Sequence, residues 1–176
     1  VRAPVLGLLE TDRAMAACDI RGSIAHAEML AARGIIPRRD AAALARGLRR
    51  VAREIEDGTF RFAEGDEDIH TAVERRLTEL CGEAGGRIHT ARSRNDQVAL
   101  DERLYLRDAL AGLDEAAREL QSALVAAGER TFPAVMPGYT HLQRGQAVLL
   151  AHHLLAYVEM LARDRERIAG ALGRVD

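Results

Sequence analysis

The stretch Asn95–Gly128, NDQVALDERLYLRDALAGLDEAARELQSALVAAG, decides the fold. It holds no proline and a single interior glycine, Gly112, while Leu106, Leu110, Leu113, Ala117, Leu120, Leu124 and Ala127 recur at a spacing of nearly 3.5 residues. At 1.5 Å rise per residue this predicts a helical rod about 50 Å long. The segment from Thr131-Phe132-Pro133 to Pro137-Gly138 breaks the rod, and a last helix is expected over about Gln143 to Leu172. Its first half, Val148, Leu149, Leu150, Leu154, Leu155, Val158 and Leu161, is apolar on more than one face and should be surrounded by neighbours. Two long helices cannot supply all of those neighbours, so others must come from further copies or from sequence outside this chain. Oligomerisation is the inference.

Towards the N-terminus the same period gives three shorter helices. The first is expected from about Asp12 to Arg33, with Thr11 or Asp12 as its cap and Gly34 as its stop. The second follows Pro37, places Ala41, Leu44, Leu48, Val51 and Ile55 on one face and closes at Gly58. A loop covers Thr59 to Gly65. The third runs near Asp68 to Leu80, turns Ile69, Val73, Leu77 and Leu80 inward and ends at Gly82, with Gly85-Gly86 beyond. The expected fold class is all-α: a small N-terminal helical layer over residues 1–92, then from 93 to 176 the first long helices of an incomplete bundle.

Composition agrees. Of 176 residues 32 are alanine and only 3% are aromatic, so the core must come from small and aliphatic side chains packed helix against helix. The 25 basic residues are all arginine and face 27 acidic ones, for a net charge of −2, which leaves no basic field for nucleic acid or anionic lipid. The stretch Gly145–Val158 is too short to cross a bilayer and contains two histidines. Val1-Arg2-Ala3-Pro4 lacks the regions of a secretion signal, and Cys18 and Cys81 make no disulfide framework. These features read as a cytosolic protein with reduced thiols.

Three clusters could carry chemistry. In the first, Gly85-Gly86 leads into His89, Thr90, Arg92, Ser93, Arg94, Asn95, Asp96 and Gln97. Ser93 or Asn95 would cap the long helix, and the free N–H groups of its first turn, with Arg94, would converge on a carboxylate or phosphate. An elaborate N-cap with surface arginines would use the same residues. The second cluster, Met136-Pro137-Gly138-Tyr139-Thr140-His141-Leu142-Gln143, is a rigid turn presenting Thr140, His141 and Gln143 ahead of the last helix. His141 there could transfer protons and Thr140 could donate a hydroxyl, or His141 or Gln143 could simply cap the helix. Both clusters stand at the starts of long helices, so they should complete one another across subunits. The third is Asp66-Glu67-Asp68-Ile69-His70 with Glu74, where His70 and Glu74 share a helical face. It lacks an obvious third metal ligand nearby, and acidic residues in a first turn ordinarily complement the helix dipole. No metal is expected. His152 and His153 diverge by about 100° and read as packed or interfacial, Cys18 and His26 as core or near-core, Cys81 as a helix-end thiol, and the arginines from Arg38 to Arg53 as a solvated face.

Asp19-Ile20-Arg21-Gly22-Ser23-Ile24-Ala25-His26, Glu67-Asp68-Ile69-His70-Thr71, His89-Thr90-Ala91-Arg92-Ser93-Arg94-Asn95-Asp96-Gln97-Val98 and Met136-Pro137-Gly138-Tyr139-Thr140-His141-Leu142-Gln143-Arg144 together resemble the N-terminal portion of the argininosuccinate lyases, in the fumarase/aspartase superfamily. The resemblance implies a homotetramer around a long helical bundle, with each active site drawing on three subunits. It implies cleavage of argininosuccinate to arginine and fumarate, a step of arginine biosynthesis and the urea cycle, with no metal or organic cofactor. Ser93, Arg94 and Asn95 would bind a substrate carboxylate, Thr140 and His141 would stand at the succinyl end, Gln143 would help position substrate, and His70 would line the cleft. The family's mobile loop, which carries its base serine, has no counterpart in these residues, so this chain alone should be nearly silent. Leu8 stands where many members have a serine, and Gly145-Gln146-Ala147 replaces the usual Ala-Gln-Pro. A sister lyase with another substrate, or a non-catalytic crystallin-like protein, would share the fold.

Overall fold

The computed structural model describes residues 12–175. Residues up to Tyr105 gather into one compact unit and residues from Leu106 into a second. Leu8 and Thr11 lie outside the described residues.

Helix α1 spans Ala16–Ala32 after a 3-10 turn at Arg13–Met15. Asp12 is itself in helical conformation and makes no capping bond, so the expected cap at that position is corrected. Gly34 stops the helix at φ +70°, a left-handed conformation that costs glycine little. Helix α2, Arg38–Glu56, starts directly after Pro37. Its apolar face is as the period predicts: Leu44, Leu48 and Val51 are fully buried, and the arginines opposite them are exposed. Burying each such aliphatic side chain contributes about 1.5–3 kcal/mol before the entropy cost of ordering it.

Helix α3, Ile69–Cys81, is capped by Asp68, whose carboxylate accepts from the Thr71 N–H at 2.6 Å. Ile69, Val73 and Leu77 face Leu30, Leu44, Leu48 and Val51, completing the core of the three-helix layer. The preceding loop is fastened by Asp66, which receives the Ala63 N–H at 2.8 Å and both sides of the Arg75 guanidinium at 2.9 Å. A 3-10 segment, Gly82–His89, follows α3 and sends Ile88 into the same core. A turn with Ala91 at φ +54° then opens α4, Arg94–Thr131, whose first turns belong to the first unit.

In the second unit the remainder of α4 lies against α5, Leu150–Val175. Asp114 receives the Arg165 guanidinium at 2.7 and 3.2 Å, Gln121 donates to the Val158 carbonyl at 2.9 Å, and Gly128 lies against Ala151. These contacts fall at heptad spacing on both helices and run in opposite directions, so the pair is antiparallel. Between them Val135–Thr140 (β1) and Gln143–Leu149 (β2) form an antiparallel hairpin, with Val135 opposite Leu149 and Thr140 opposite Gln143.

The hairpin is a correction to the expected last helix, which begins at Leu150 and not near Gln143. Gly145 disfavours helix there, and Val148 with Leu149 satisfies a strand as well as a helix over so short a run. Apart from this two-stranded sheet the described residues form helices and their connections, as the expected fold class requires. Among the described residues no helix is long and apolar enough to cross a membrane.

Candidate functional site

Three helices of the first unit each bring a polar pair one turn apart to the same place: Asp19 and Ser23 from α1, His70 and Glu74 from α3, Gln97 and Asp101 from α4. Asp19, Asp101, His70 and Gln97 are each at most 2% exposed. The His70 Nδ1 atom lies 3.4 Å from Asp19 Oδ1 and 3.4 Å from Asp101 Oδ2. Ser23 donates to Asp19 at 3.4 Å and receives Arg92 at 3.0 Å, while the Gln97 amide donates to Asp19.

Burial opposes charge throughout this cluster, and neighbours decide which groups keep it. Burial would raise Asp19, but the adjacent His70 ring and the hydrogen bond from Gln97 hold its carboxyl below the ordinary value. Burial and the adjoining Asp19 charge push Asp101 up to about 7. Burial would lower His70, yet Asp19, with the charges of Asp101 and Asp68, carries the imidazole above its ordinary value. The surroundings thus favour the ionised form of Asp19 and the protonated form of His70, while Asp101 stands close to its midpoint at neutral pH. The ligand atoms of Asp19, His70 and Asp101 lie within 4.8 Å of one another, a donor set able to take a divalent cation. The Arg92 guanidinium, which acts electrostatically on both carboxyls, already supplies positive charge at that point.

The start of α4 adjoins the cluster. Ser93 is the N-cap: its hydroxyl accepts the Asn95 N–H at 3.2 Å, and Asp96 reaches back to the Ser93 N–H at 3.0 Å. This reciprocal pair is a capping box, here with aspartate in place of the usual Glu or Gln. Arg94 Nη1 is shared between Glu74 at 2.8 Å and the side-chain amide oxygen of Gln97 at 2.5 Å, with Asp68 at 3.9 Å from Nε. Glu74 also faces His89 Nδ1 at 3.3 Å, and His26 Nε2 meets the Thr90 carbonyl at 2.9 Å. Asn95 is exposed at the helix start. Ala91, left-handed without being glycine, is a strained residue beside a donor-rich helix end.

Ser93, Arg94, Asn95 and His70 thus fall in the first unit, whereas Thr140, His141 and Gln143 fall in the second. Thr140 and Gln143 are opposite one another across the hairpin, and His141 and Leu142 form its two-residue tip. Both tip residues are left-handed, φ +50° and +62°, where such turns ordinarily take Asn and Gly. Leu142 is 99% exposed, so packing within the chain does not explain the strain. His153 packs edge-on against Tyr157 at 5.3 Å on α5. Sequence reasoning did not single out Asp19 or Asp101 as site residues. The signal was available in the pairs one turn apart, Asp19 with Ser23 and Gln97 with Asp101, but each looks like a solvated helix face until three helices converge.

Helical packing with a short hairpin, a donor-rich helix start and a buried imidazole between carboxyls accord with a helical lyase of the fumarase/aspartase type, the class that comparison with known proteins gives. The sequence profile described as Lyase matches residues 8–176, and the chain belongs to that family. It is 53% identical over 96% of its length to the argininosuccinate lyase of Symbiobacterium thermophilum, covering 36% of that protein. It is 54% identical over 94% of its length to the argininosuccinate lyase of Pelotomaculum thermopropionicum, again covering 36%. Among solved structures it resembles an EDDS lyase variant with bound fumarate, with a TM-score of 0.78 and 28% identity over 99% of this chain and 36% of that one. The chain spans about a third of the length of the curated relatives it matches.

Proposed function

We propose that the protein carrying this chain is an argininosuccinate lyase of arginine biosynthesis, acting in the cytoplasm as a homotetramer. The observation that carries this reading is the Arg92–Gln97 run, built into a capped helix start in a chain 53% identical to one such enzyme. A base removes a proton from the succinyl carbon beside a carboxylate; the electron pair forms the C=C bond of fumarate as the C–N bond breaks. Arginine departs once its guanidino nitrogen is protonated. Neither metal nor organic cofactor is needed for this balance.

In this reading Ser93, Arg94 and Asn95 bind a substrate carboxylate at the start of α4, where N–H groups and the helix dipole favour negative charge. Arg94 must then exchange part of its bonding to Glu74 for substrate. Thr140 and His141 act at the succinyl end, with His141 in proton transfer, Gln143 positions the substrate, and His70 lines the cleft in a supporting role. Residues 1–92 are an N-terminal helical domain and 93–176 the first helices of the bundle. The apolar side chains left exposed in the second unit, Leu113 at 55%, Leu120 at 51% and Met160 at 48% among them, support association with further copies.

His141→Asn in the complete enzyme tests the assignment. Turnover should fall by about 10² to 10⁴ while KM changes little, because the loss falls on proton transfer in the transition state. Unchanged turnover would remove His141 from the mechanism.

A further inference from the structure

We propose that Gln97 is a positioning residue, tying the Arg94 guanidinium to the charge of the buried Asp19–His70–Asp101 cluster; this rests on the reading of Arg94 as a carboxylate binder. The amide is buried and can be read in one orientation: its NH2 donates to Asp19 and its oxygen accepts from Arg94 at 2.5 Å. A neutral side chain that donates at one end and accepts at the other joins a carboxylate to a guanidinium without adding charge, which neither Glu nor Met can do. The groups facing this path are Asp19 from α1, Asp68, His70 and Glu74 from α3 and its cap, His89 from the 3-10 segment against Glu74, Asp101 from α4, and Arg92 from the turn before it.

The direction follows from the chemistry. When Asp101 loses its proton, the His70 ring is shared between two carboxylates, so Asp19 draws harder on Gln97, which polarises the amide and strengthens its hold on Arg94. The cluster's added negative charge retains the guanidinium in the same sense. Arg94 should therefore be held more firmly above neutrality and released more readily below it.

Phenylglyoxal labelling of the complete protein, read site by site by mass spectrometry, tests this without activity. Exposed Arg39 serves as the internal reference, which cancels the intrinsic rise of the reaction with pH. In the wild type the Arg94 to Arg39 labelling ratio should fall about fivefold from pH 5.5 to 8.5. In Gln97→Met it should start higher and change less than twofold. Gln97→Glu adds a carboxylate beside the cluster and should move the midpoint up by about one pH unit. A flat ratio in the wild type, or an equal fall in Gln97→Met, overturns the proposal; the wild-type arm stands even if both variants misfold. Fumarate release from argininosuccinate is measured alongside: its absence with the pH step present removes the enzymatic reading and leaves the coupling, and the reverse outcome removes only the coupling.

Discussion

Replacing Asp101 by Asn should make the protein more stable above neutrality and leave it nearly unchanged in acid. Asp101 is 1% exposed, 3.4 Å from the His70 ring and next to the Asp19 carboxylate, and its carboxyl is pushed up to about 7. In the unfolded chain the same group titrates near 3.8. Between those two values the native protein holds a proton that the unfolded chain has released, so stability falls as pH rises across that window. At about 1.4 kcal/mol per pH unit, the loss by neutrality is on the order of 4 kcal/mol. Asn matches the shape of the protonated acid and carries no charge, so the variant should match the wild type near pH 4 and exceed it progressively towards pH 8. The gain stays below that ceiling, because deleting the carboxylate also withdraws one support of the His70 imidazolium. Urea unfolding at fixed protein concentration, followed by circular dichroism at pH 4.5, 6, 7 and 8, reads the difference directly. A variant destabilised equally at every pH would refute the reasoning and show Asp101 to be a needed, ionised partner.

Gly85→Ala should cost about 1–3 kcal/mol in the same assay, because the new Cβ would lie 2.5 Å from the Thr78 Cα, a backbone atom that cannot swing aside; a neutral effect would mean that the 3-10 segment shifts freely. Ser93→Ala should cost about 1 kcal/mol and raise hydrogen exchange in the first turn of α4, where the capping box is lost. Exchange unchanged at Asn95 would show that Ser93 is not the cap.

The parts of the fold that follow from local periodicity were legible in the chain. The buried face of α2 is the one its period marks, Gly34, Gly58 and Gly82 are left-handed where stops were expected, and Ser93 caps the rod. The β1–β2 hairpin was not legible, because Val148 and Leu149 fit two periods and the His141-Leu142 tip lacks the Asn-Gly signal of a tight turn. The donor-rich start of α4 and the pairing of His70 with Glu74 on one face could be read directly. The convergence of Asp19, His70 and Asp101 could not, since it joins residues far apart in sequence whose proximity only tertiary packing creates. The same packing occupies Arg94 with Glu74 and Gln97, which its sequence neighbours do not announce.

Ultraviolet absorbance of fumarate, followed as the complete purified protein acts on argininosuccinate, is the most direct test of the proposed chemistry. Fumarate and arginine should appear in equal amounts, with no added metal or cofactor. Fumarate from a different amino-succinate but none from argininosuccinate would contradict the substrate assignment, and none from any succinyl substrate would contradict a lyase function altogether.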